Sequence, residues 1–497
     1  MNILCVYPSY PDTFWSFKKA LKYVSKKAAF PPLGLLTVAA MLPEHWGKRL
    51  VDCNISPLKD KDLAWADMVF LSGMLVQKEG AREIIQQCRN AGKTIVAGGP
   101  AFTAEPESFP GVDHFVLNEA EVTLPIFLED LKKGTPQHVY TSEERPCIEQ
   151  TPVPLWSLID MKKYATMPIQ YSRGCPYDCE FCDIVILNGR KPRAKTTEQV
   201  LAELQALYDQ GWKAGVFIVD DNFIGNKKKV KQMLPDLIQW QKKHGFPFTL
   251  LTEASVNLAE DAELMNLMSA ANFNKVFLGL ETPCLESLKE CGKNQNLKQD
   301  LAQCVHTIQQ HGMQVMGGFI VGFDSDTESI FETQIRFIQR IGVATAMVGL
   351  LGAAPHTRLW HRLKAEGRLL QETSGDNTDG SLNFIPKMGK ETLISGYQQV
   401  LNTIYSPREY YARINTFVRN YRPTAKSKLS LTDVKALIRS TWRIGVFSRS
   451  NVLYWKMIVT TFFTQCRALP DAIELAIYGH HFQYIAKKIS KQGPCRS

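Results

Sequence analysis

Ser172-Arg173-Gly174-Cys175-Pro176-Tyr177-Asp178-Cys179-Glu180-Phe181-Cys182-Asp183-Ile184 puts three cysteines at spacing C-x3-C-x2-C on a short loop behind an apolar run. Three thiolates can hold three irons of a cubane [4Fe–4S] cluster, because thiolate is the ligand that such clusters use. Three ligands, not four, leave one iron open to a small molecule. A zinc site would want four ligands, and no Cys or His pair at finger spacing follows to complete one. The metal ligands expected are therefore Cys175, Cys179 and Cys182. The alternative is three packed thiols with no metal.

Outward from this loop the chain alternates between strand and helix signals. MPIQYS, VFIVDD, FTLLTEA, KVFLGLE, VMGGFIVGF and AMVGLL are six apolar runs, the first leading directly into the cysteines. Helical patterns around 196–210, 229–243, 260–271, 297–310 and 328–341 separate them. Six βα units predict a partial (β/α)6 barrel over 164–352, with its site at the carboxyl ends of the strands. Those ends carry Asp220, Asp221 and Asn222, then Glu253 and Ser255, then Glu281. Carboxylates and amides grouped there can bind an ammonium group and ribose hydroxyls. Asp220 has an alternative role as a cap of the next helix.

Upstream, NILCVYP, KRLVDCN, MVFLSG, KTIVAGG and DHFVLN alternate with helical patterns, which predicts a doubly wound parallel domain over 1–141. A ligand crevice in such a fold lies beyond the carboxyl ends of its strands. Ser72, Gly73, Gly98, Gly99 and Glu119 fall at those ends, where they would line a bulky ligand or merely form tight βα turns. A Pro-rich, poorly periodic stretch makes 142–163 a linker, and 353–497 reads as a helical C-terminal domain.

With 497 residues, 45% hydrophobic and 22% charged, the chain has the composition of an ordinary globular protein of two to four domains. No signal peptide is visible, and Cys5, Cys53, Cys88 and Cys304 lie in apolar runs as reduced core thiols. Both point to the cytoplasm. The net charge of +9 resides in Thr424–Ser497, with twelve Lys/Arg against three Asp/Glu. There Val434, Leu437, Ile438 and Trp442 form an apolar stripe at helical spacing, beside Lys435, Arg439 and Arg443. A basic amphipathic helix with aromatics suits the anionic inner face of a membrane; the alternative is a helical domain packed on the barrel with a solvated basic face. No motif accompanies the charge that would make nucleic acid a partner.

The segment Ser172–Ile184 resembles the radical SAM superfamily. The resemblance implies that the open iron chelates S-adenosylmethionine (SAM). Its reductive cleavage would give methionine and a hydrogen-abstracting 5′-deoxyadenosyl radical. It also implies that Phe181 packs near adenine, that Asp220, Asp221, Asn222, Glu253, Ser255 and Glu281 contact the amine, ribose or methionyl end, and that Gly318, Ile320 and Gly322 of a G-x-I-x-G pattern lie against adenine. The order of modules is similar to that of the cobalamin-dependent radical SAM class. FPPLGLLTVAAMLP (30–43), LAWADMVFLSG (63–73), GRKPRAKTTEQ (189–199) and VDDNFIGNKK (219–228) resemble the family of the hopanoid C-2 methylase over roughly 1–420. This resemblance implies cobalamin, a flavodoxin- or ferredoxin-type electron donor, and C-methylation of a small hydrophobic or lipid substrate. D-x-H-x-x-G is absent, so cobalamin would bind without a histidine lower ligand; the alternative is a domain that has lost its cofactor and only shapes the substrate cleft. Radical C–C coupling, cyclisation or rearrangement is the enzymatic alternative; a non-catalytic cobalamin or iron–sulfur carrier is a minor one.

Overall fold

The computed structural model describes residues 1–370, 373–376, 378–424 and 431–491. The basic tail therefore lies in part, at 425–430 and 492–497, outside the described residues. All eleven strands expected from apolar runs form. The first sheet comprises β1 (Asn2–Tyr7), β2 (Gly47–Asp52), β3 (Met68–Ser72), β4 (Thr94–Gly98), β5 (His114–Val116) and β6 (Val139–Tyr140), in the order β2-β1-β3-β4-β5-β6. Every pairing is parallel. Alternate residues feed two separate apolar cores, Leu4 and Val6 on one face and Ile3 and Cys5 on the other. Burial on both faces is why these strands are continuously apolar. Among the flanking helices are α1 (Leu33–Met41), α2 (Lys78–Asn90) and α3 (Ala120–Lys133). The strand order reverses between β1 and β3, which puts the ligand crevice at their carboxyl ends.

The second sheet contains β7 (Met167–Ile169), β10 (Gly215–Ile218), β11 (Thr249–Ala254), β12 (Phe273–Glu281), β13 (Gln314–Val321) and β14 (Ala346–Leu350), parallel in chain order. A small antiparallel hairpin, β8 (Ser172–Arg173) with β9 (Arg193–Ala194), frames the cysteine loop. The helices α4 (Thr197–Asp209), α5 (Lys227–Lys243), α6 (Ala262–Ala270), α7 (Leu301–Gln310) and α8 (Ile330–Ile341) lie within a few residues of their predicted bounds. Thr196 and Gln199 close a capping box on α4, satisfying two orphan amides at once. Asp220 caps nothing: α5 takes its cap from Asn226, whose side chain accepts from the Lys229 amide.

The C-terminal domain is helical: α9 (Arg358–Ala365), α10 (Lys390–Ile404), α11 (Pro407–Asn420), α12 (Leu431–Ser440), α13 (Asn451–Gln465) and α14 (Leu469–Lys491). It shares one apolar core with the barrel and with Phe14, Ala20 and Tyr23. Tyr23 Oη is 2.9 Å from His480 Nδ1, and His481 Nε2 is 3.1 Å from the carbonyls of Thr13 and Phe14. Residues 13–25 therefore belong to the C-terminal layer, which no local sequence pattern announces. The tail packs against the barrel's core through Ala436, Ile444, Tyr454 and Met457, as the packed alternative has it, but part of its apolar surface stays outside. Arg439 turns inward, donating to the Tyr23 carbonyl at 2.9 Å. The apolar stripe instead faces outward: Ile438 and Trp442 are each 62% exposed, and Phe463 is 81% exposed.

Candidate active site

Where the carboxyl edges of the two sheets face one another they enclose a cavity of about 970 Å³. Tyr7, Tyr10, Ser72, Gly73, Gly98, Gly99, Asn118 and Glu119 line it from the first sheet. Phe181, Asp220, Asp221, Glu253 and Ile320 line it from the barrel, and Ser374, Asp376 and Thr378 from the C-terminal domain. Asn222, Ser255 and Glu281 gather beside the cysteine loop. Gly318 and Gly322 do neither: a Cβ at Gly318 would meet the Phe277 ring at 3.0 Å, and one at Gly322 would meet Leu393 at 2.9 Å.

The cysteine loop owes its shape to residues at both its ends. Gly174 has φ of +96°, and a Cβ there would lie 2.8 Å from the Gly189 carbonyl, so only glycine fits. Asp220, fully buried, accepts from the amides of Tyr171 and Ser172 at 2.7 Å each and from the Ser172 hydroxyl at 2.5 Å. Asp221 accepts from the Gly174 amide at 3.3 Å and from Asn188 Nδ2 at 2.9 Å. Both carboxylates thus fasten the loop to β10. On the far side Glu180 is gripped by Arg362 at 2.7 Å, which ties the loop to α9.

All three loop cysteines are free thiols. Amide donors point at two of them, Asn222 Nδ2 at 3.9 Å from Cys175 Sγ and Gln295 Nε2 at 3.8 Å from Cys179 Sγ. Lys293 is paired with Glu281 at 2.6 Å, and Glu281 holds its place with a left-handed φ of +59°. Burial opposes the Lys293 charge, but Glu281, Cys179 and Cys182 together raise its pKa. Burial raises the pKa of the Cys175 and Cys182 thiols, and the Lys293 ammonium, with the Asn222 amide at Cys175, works against that rise. This donor set fits a thiolate-ligated cluster. Among the described residues no three His, Cys, Asp or Glu side chains could hold a single metal ion.

Glu253 stands apart. Among the described residues no hydrogen bond or ion pair ties its carboxylate down, and its pKa is raised to about 8 by burial first and then by Asp221 and Asp220. Asp220 is likewise pushed up to about 7, chiefly by burial. Lys293 and Arg173 are the cations near this acidic wall, acting on Glu253 and Asp221 respectively. The first-sheet crevice has backbone at its surface: Gly99 has φ of +93°, and a Cβ would meet Ser72 Oγ at 2.4 Å. Glu119 is not free to meet a ligand there, because Arg173, Arg193 and Arg145 surround it. Beside β1, in the place of a D-x-H-x-x-G loop, Tyr7 and Tyr10 join their hydroxyls and Asn54 donates to the Pro8 carbonyl at 3.2 Å. Sequence reasoning missed Lys293, Gln295, Arg173 and Glu121. Only Arg173 carried a signal, since it lies inside the cysteine segment.

Sequence profiles match three parts of the chain: a B12 binding domain over 24–128, the radical SAM superfamily over 169–338, and a domain of unknown function over 357–493. An uncharacterised methyltransferase of Synechocystis is 42% identical over 462 residues, 92% of this chain and 86% of its own length. The hopanoid C-2 methylase of Rhodopseudomonas palustris is 34% identical over 508 residues, 99% and 94% respectively. The solved cobalamin-dependent SAM radical enzyme OxsB, with aqua-cobalamin and SAM bound, shares the fold at TM-score 0.63 and 16% identity, over 100% of this chain and 84% of its own. The radical SAM methyltransferase TsrM of Kitasatospora setae, with cobalamin and a [4Fe–4S] cluster, matches at TM-score 0.58 and 15% identity over 75% and 79%.

Proposed function

On the premise that this chain belongs to the cobalamin-dependent radical SAM methyltransferases, we propose that it methylates an unactivated carbon of a hydrophobic substrate. The observation that carries this reading is the shared cavity onto which both carboxyl edges open. Cys175, Cys179 and Cys182 would hold the cluster, and the crevice around Ser72, Gly73 and Gly99 would hold cobalamin without a histidine. When bound, the cluster and SAM supply a hydrogen-abstracting radical, and cobalamin supplies the methyl group. The chain's own residues do the positioning. Lys293, Asn222 and Gln295 orient the thiolates, Asp220 and Asp221 fix the loop, and Glu253 offers the charge that a SAM ammonium needs. Phe30, Pro31, Leu33, Phe217, Ile320 and Leu350 give the cavity a largely apolar wall, which suits a hydrophobic substrate and keeps water from the reacting carbon. Anaerobic turnover with SAM labelled in its methyl group tests the reading: label should appear on carbon in the product.

Glu253 makes SAM affinity depend on pH. With a pKa near 8 it is mostly protonated at neutral pH, and an arriving ammonium pulls it to the ionised form. Binding therefore releases a proton, so affinity rises about tenfold per pH unit up to about pH 8; above that the SAM ammonium, an α-amino group with a pKa of about 8, loses its own charge and affinity falls. Calorimetry from pH 6 to 9 should show this rise in the reconstituted protein and lose it in Glu253→Gln. Absence of the rise in the unsubstituted protein would remove Glu253 from the SAM site.

Two partners complete the proposal. The electron would come from a flavodoxin- or ferredoxin-type protein, for which Arg190 and Arg358, 62% and 59% exposed beside the cysteine loop and both paired with Asp178, leave a net positive contact. Arg358→Glu should then slow reduction by such a donor and leave reduction by dithionite unchanged. The outward face of α12 and α13 would rest on an anionic lipid surface, where the substrate resides. Trp442, Phe447, Val452, Phe462 and Phe463 are exposed there among the exposed Lys435, Arg443, Arg449 and Lys456. No described helix is long and apolar enough to cross a membrane. Each cation near an anionic surface is worth about 1 kcal/mol, and salt screens that attraction. Sedimentation with phosphatidylserine-containing vesicles should fall at least tenfold between about 0.1 M and 1 M salt. It should also fall with Phe447→Ser/Phe463→Ser; equal binding to neutral vesicles would refute it.

A further inference from the structure

Five charged side chains lie where the two cofactor-binding parts of the chain meet, and the reaction assigns none of them a role. Glu119 and Glu121 stand at the start of α3, just beyond β5, on the first sheet. Arg173 is two residues before Cys175, and Arg193 lies on β9 across the hairpin. Glu119 accepts from Arg193 Nη2 at 2.6 Å and Nη1 at 2.9 Å, and from Arg173 Nη1 at 2.8 Å. Glu121 accepts from Arg173 Nη2 at 2.8 Å and Nη1 at 3.0 Å. Arg145, 3.7 Å from Glu119, donates to the carbonyls of Ile186 and Leu187 at 2.6 Å each, shortly after Cys182. The group therefore grips the cysteine loop before its first cysteine and after its last.

Two features separate this group from ordinary surface pairs. The carboxylates are buried, with side-chain exposures of 5% for Glu119 and 9% for Glu121. The geometry is forked: two guanidinium nitrogens of Arg173 reach both carboxylates, and two of Arg193 reach Glu119. Forked, buried ion pairs do little for net stability but do not tolerate a slip of about one ångström. Glu119, Glu121 and Arg173 also line the cavity itself. Backbone contacts join the two parts elsewhere: residues 27–29 hydrogen-bond to residues 163–166, with Lys27 N donating to the Lys163 carbonyl at 2.8 Å and Thr166 N to the Ala29 carbonyl at 2.9 Å. At the cysteine loop itself the charged group makes the connection, and among the described residues the two sheets share no pairing of their named strands.

We propose that Glu119, Glu121, Arg145, Arg173 and Arg193 are positioning residues: an interdomain latch that keeps the cysteine loop in register with the cobalamin-binding crevice and so couples hydrogen abstraction to methyl transfer. This rests on the methyltransferase reading above. The substrate carbon must meet two reactants that approach from different domains. A misplacement of about 1 Å at such a centre can cost about a hundredfold in rate. Loosening the latch should leave SAM cleavage running while the substrate carbon no longer collects its methyl group.

Arg173→Lys keeps the charge and removes the fork. Its expected phenotype is unchanged iron and cobalamin content, deoxyadenosine formation within a few fold of the unsubstituted protein, and at least tenfold less methylated product per deoxyadenosine. Should that variant fail to hold its cluster, Glu121→Gln is read the same way, since Glu119 still pairs with Arg173. A product ratio unchanged in whichever variant retains cluster would overturn the latch. Hydrogen exchange of amides 172–188 supplies the second readout: it should quicken in the variant, and an unaltered profile would also overturn the proposal. If the unsubstituted protein forms deoxyadenosine but no methylated product, the methyltransferase reading fails, and the exchange data alone decide the latch.

Discussion

Cys179→Ala protein, purified and reconstituted without oxygen, is expected to fold normally, to carry little iron and to form no measurable 5′-deoxyadenosine; Cys175→Ala and Cys182→Ala should do the same. The loop survives the change because its shape is set elsewhere, by Asp220, Asp221 and Gly174 on one side and by the Glu180–Arg362 pair on the other. What is lost is one of three thiolates, and a cubane held by two is readily shed. Cys5→Ala and Cys304→Ala are the matched controls. Burial pushes the Cys5 thiol up to about 12 and that of Cys304 to about 11, so both remain inert thiols whose loss costs about 1 kcal/mol of packing. Iron analysis, melting curves and chromatography of the nucleoside products check all five proteins together. Normal SAM cleavage by Cys179→Ala would remove the cluster assignment.

Withholding cobalamin should separate the two uses of SAM. Protein with cluster and cobalamin, given substrate, should yield S-adenosylhomocysteine and 5′-deoxyadenosine in comparable amounts, since one SAM gives a methyl group and another gives a radical. The same protein with its cluster but no cobalamin should lose S-adenosylhomocysteine and the methylated product altogether and still form some deoxyadenosine. Methyl-labelled SAM and mass detection of the product follow the same transfer independently. Deoxyadenosine with no S-adenosylhomocysteine in cobalamin-replete protein would return the chain to coupling or cyclisation chemistry.

The strands were legible because each is a short apolar run between turn signals. Parallel sheets buried on both faces make such runs continuous, and β1 to β5 and the six barrel strands stood out for that reason. The two-residue strands β6, β8 and β9 are too short to carry a period. The barrel-mouth acids were legible as a group, but not their division of labour. Asp220 and Glu253 each end a strand, yet one is consumed by backbone amides and the other is left open to the cavity. That difference depends on where Tyr171 and Ser172 lie, 48 or more residues away. Glu119 is deceptive in the sequence for the same reason. Its partners Arg173 and Arg193 are 54 and 74 residues distant, and no local spacing records them. The tail pattern was legible as amphipathic, but which face turns outward depends on Arg439 finding the Tyr23 carbonyl.

The insertion of residues 13–25 among the C-terminal helices has a consequence for how the chain is made. Tyr23 and His480 are 457 residues apart, and translation at roughly 5–20 residues per second separates their appearance by about 25–90 s. During that interval the partners of Phe14 and Tyr23 in α14 do not yet exist, and their apolar rings stay accessible to chaperones. The earliest and latest parts of the polypeptide must find each other before either can settle. Such distant contacts slow folding, because loop closure must come before any reward. Production at lower temperature, or with a holdase, should therefore raise the soluble yield of the protein.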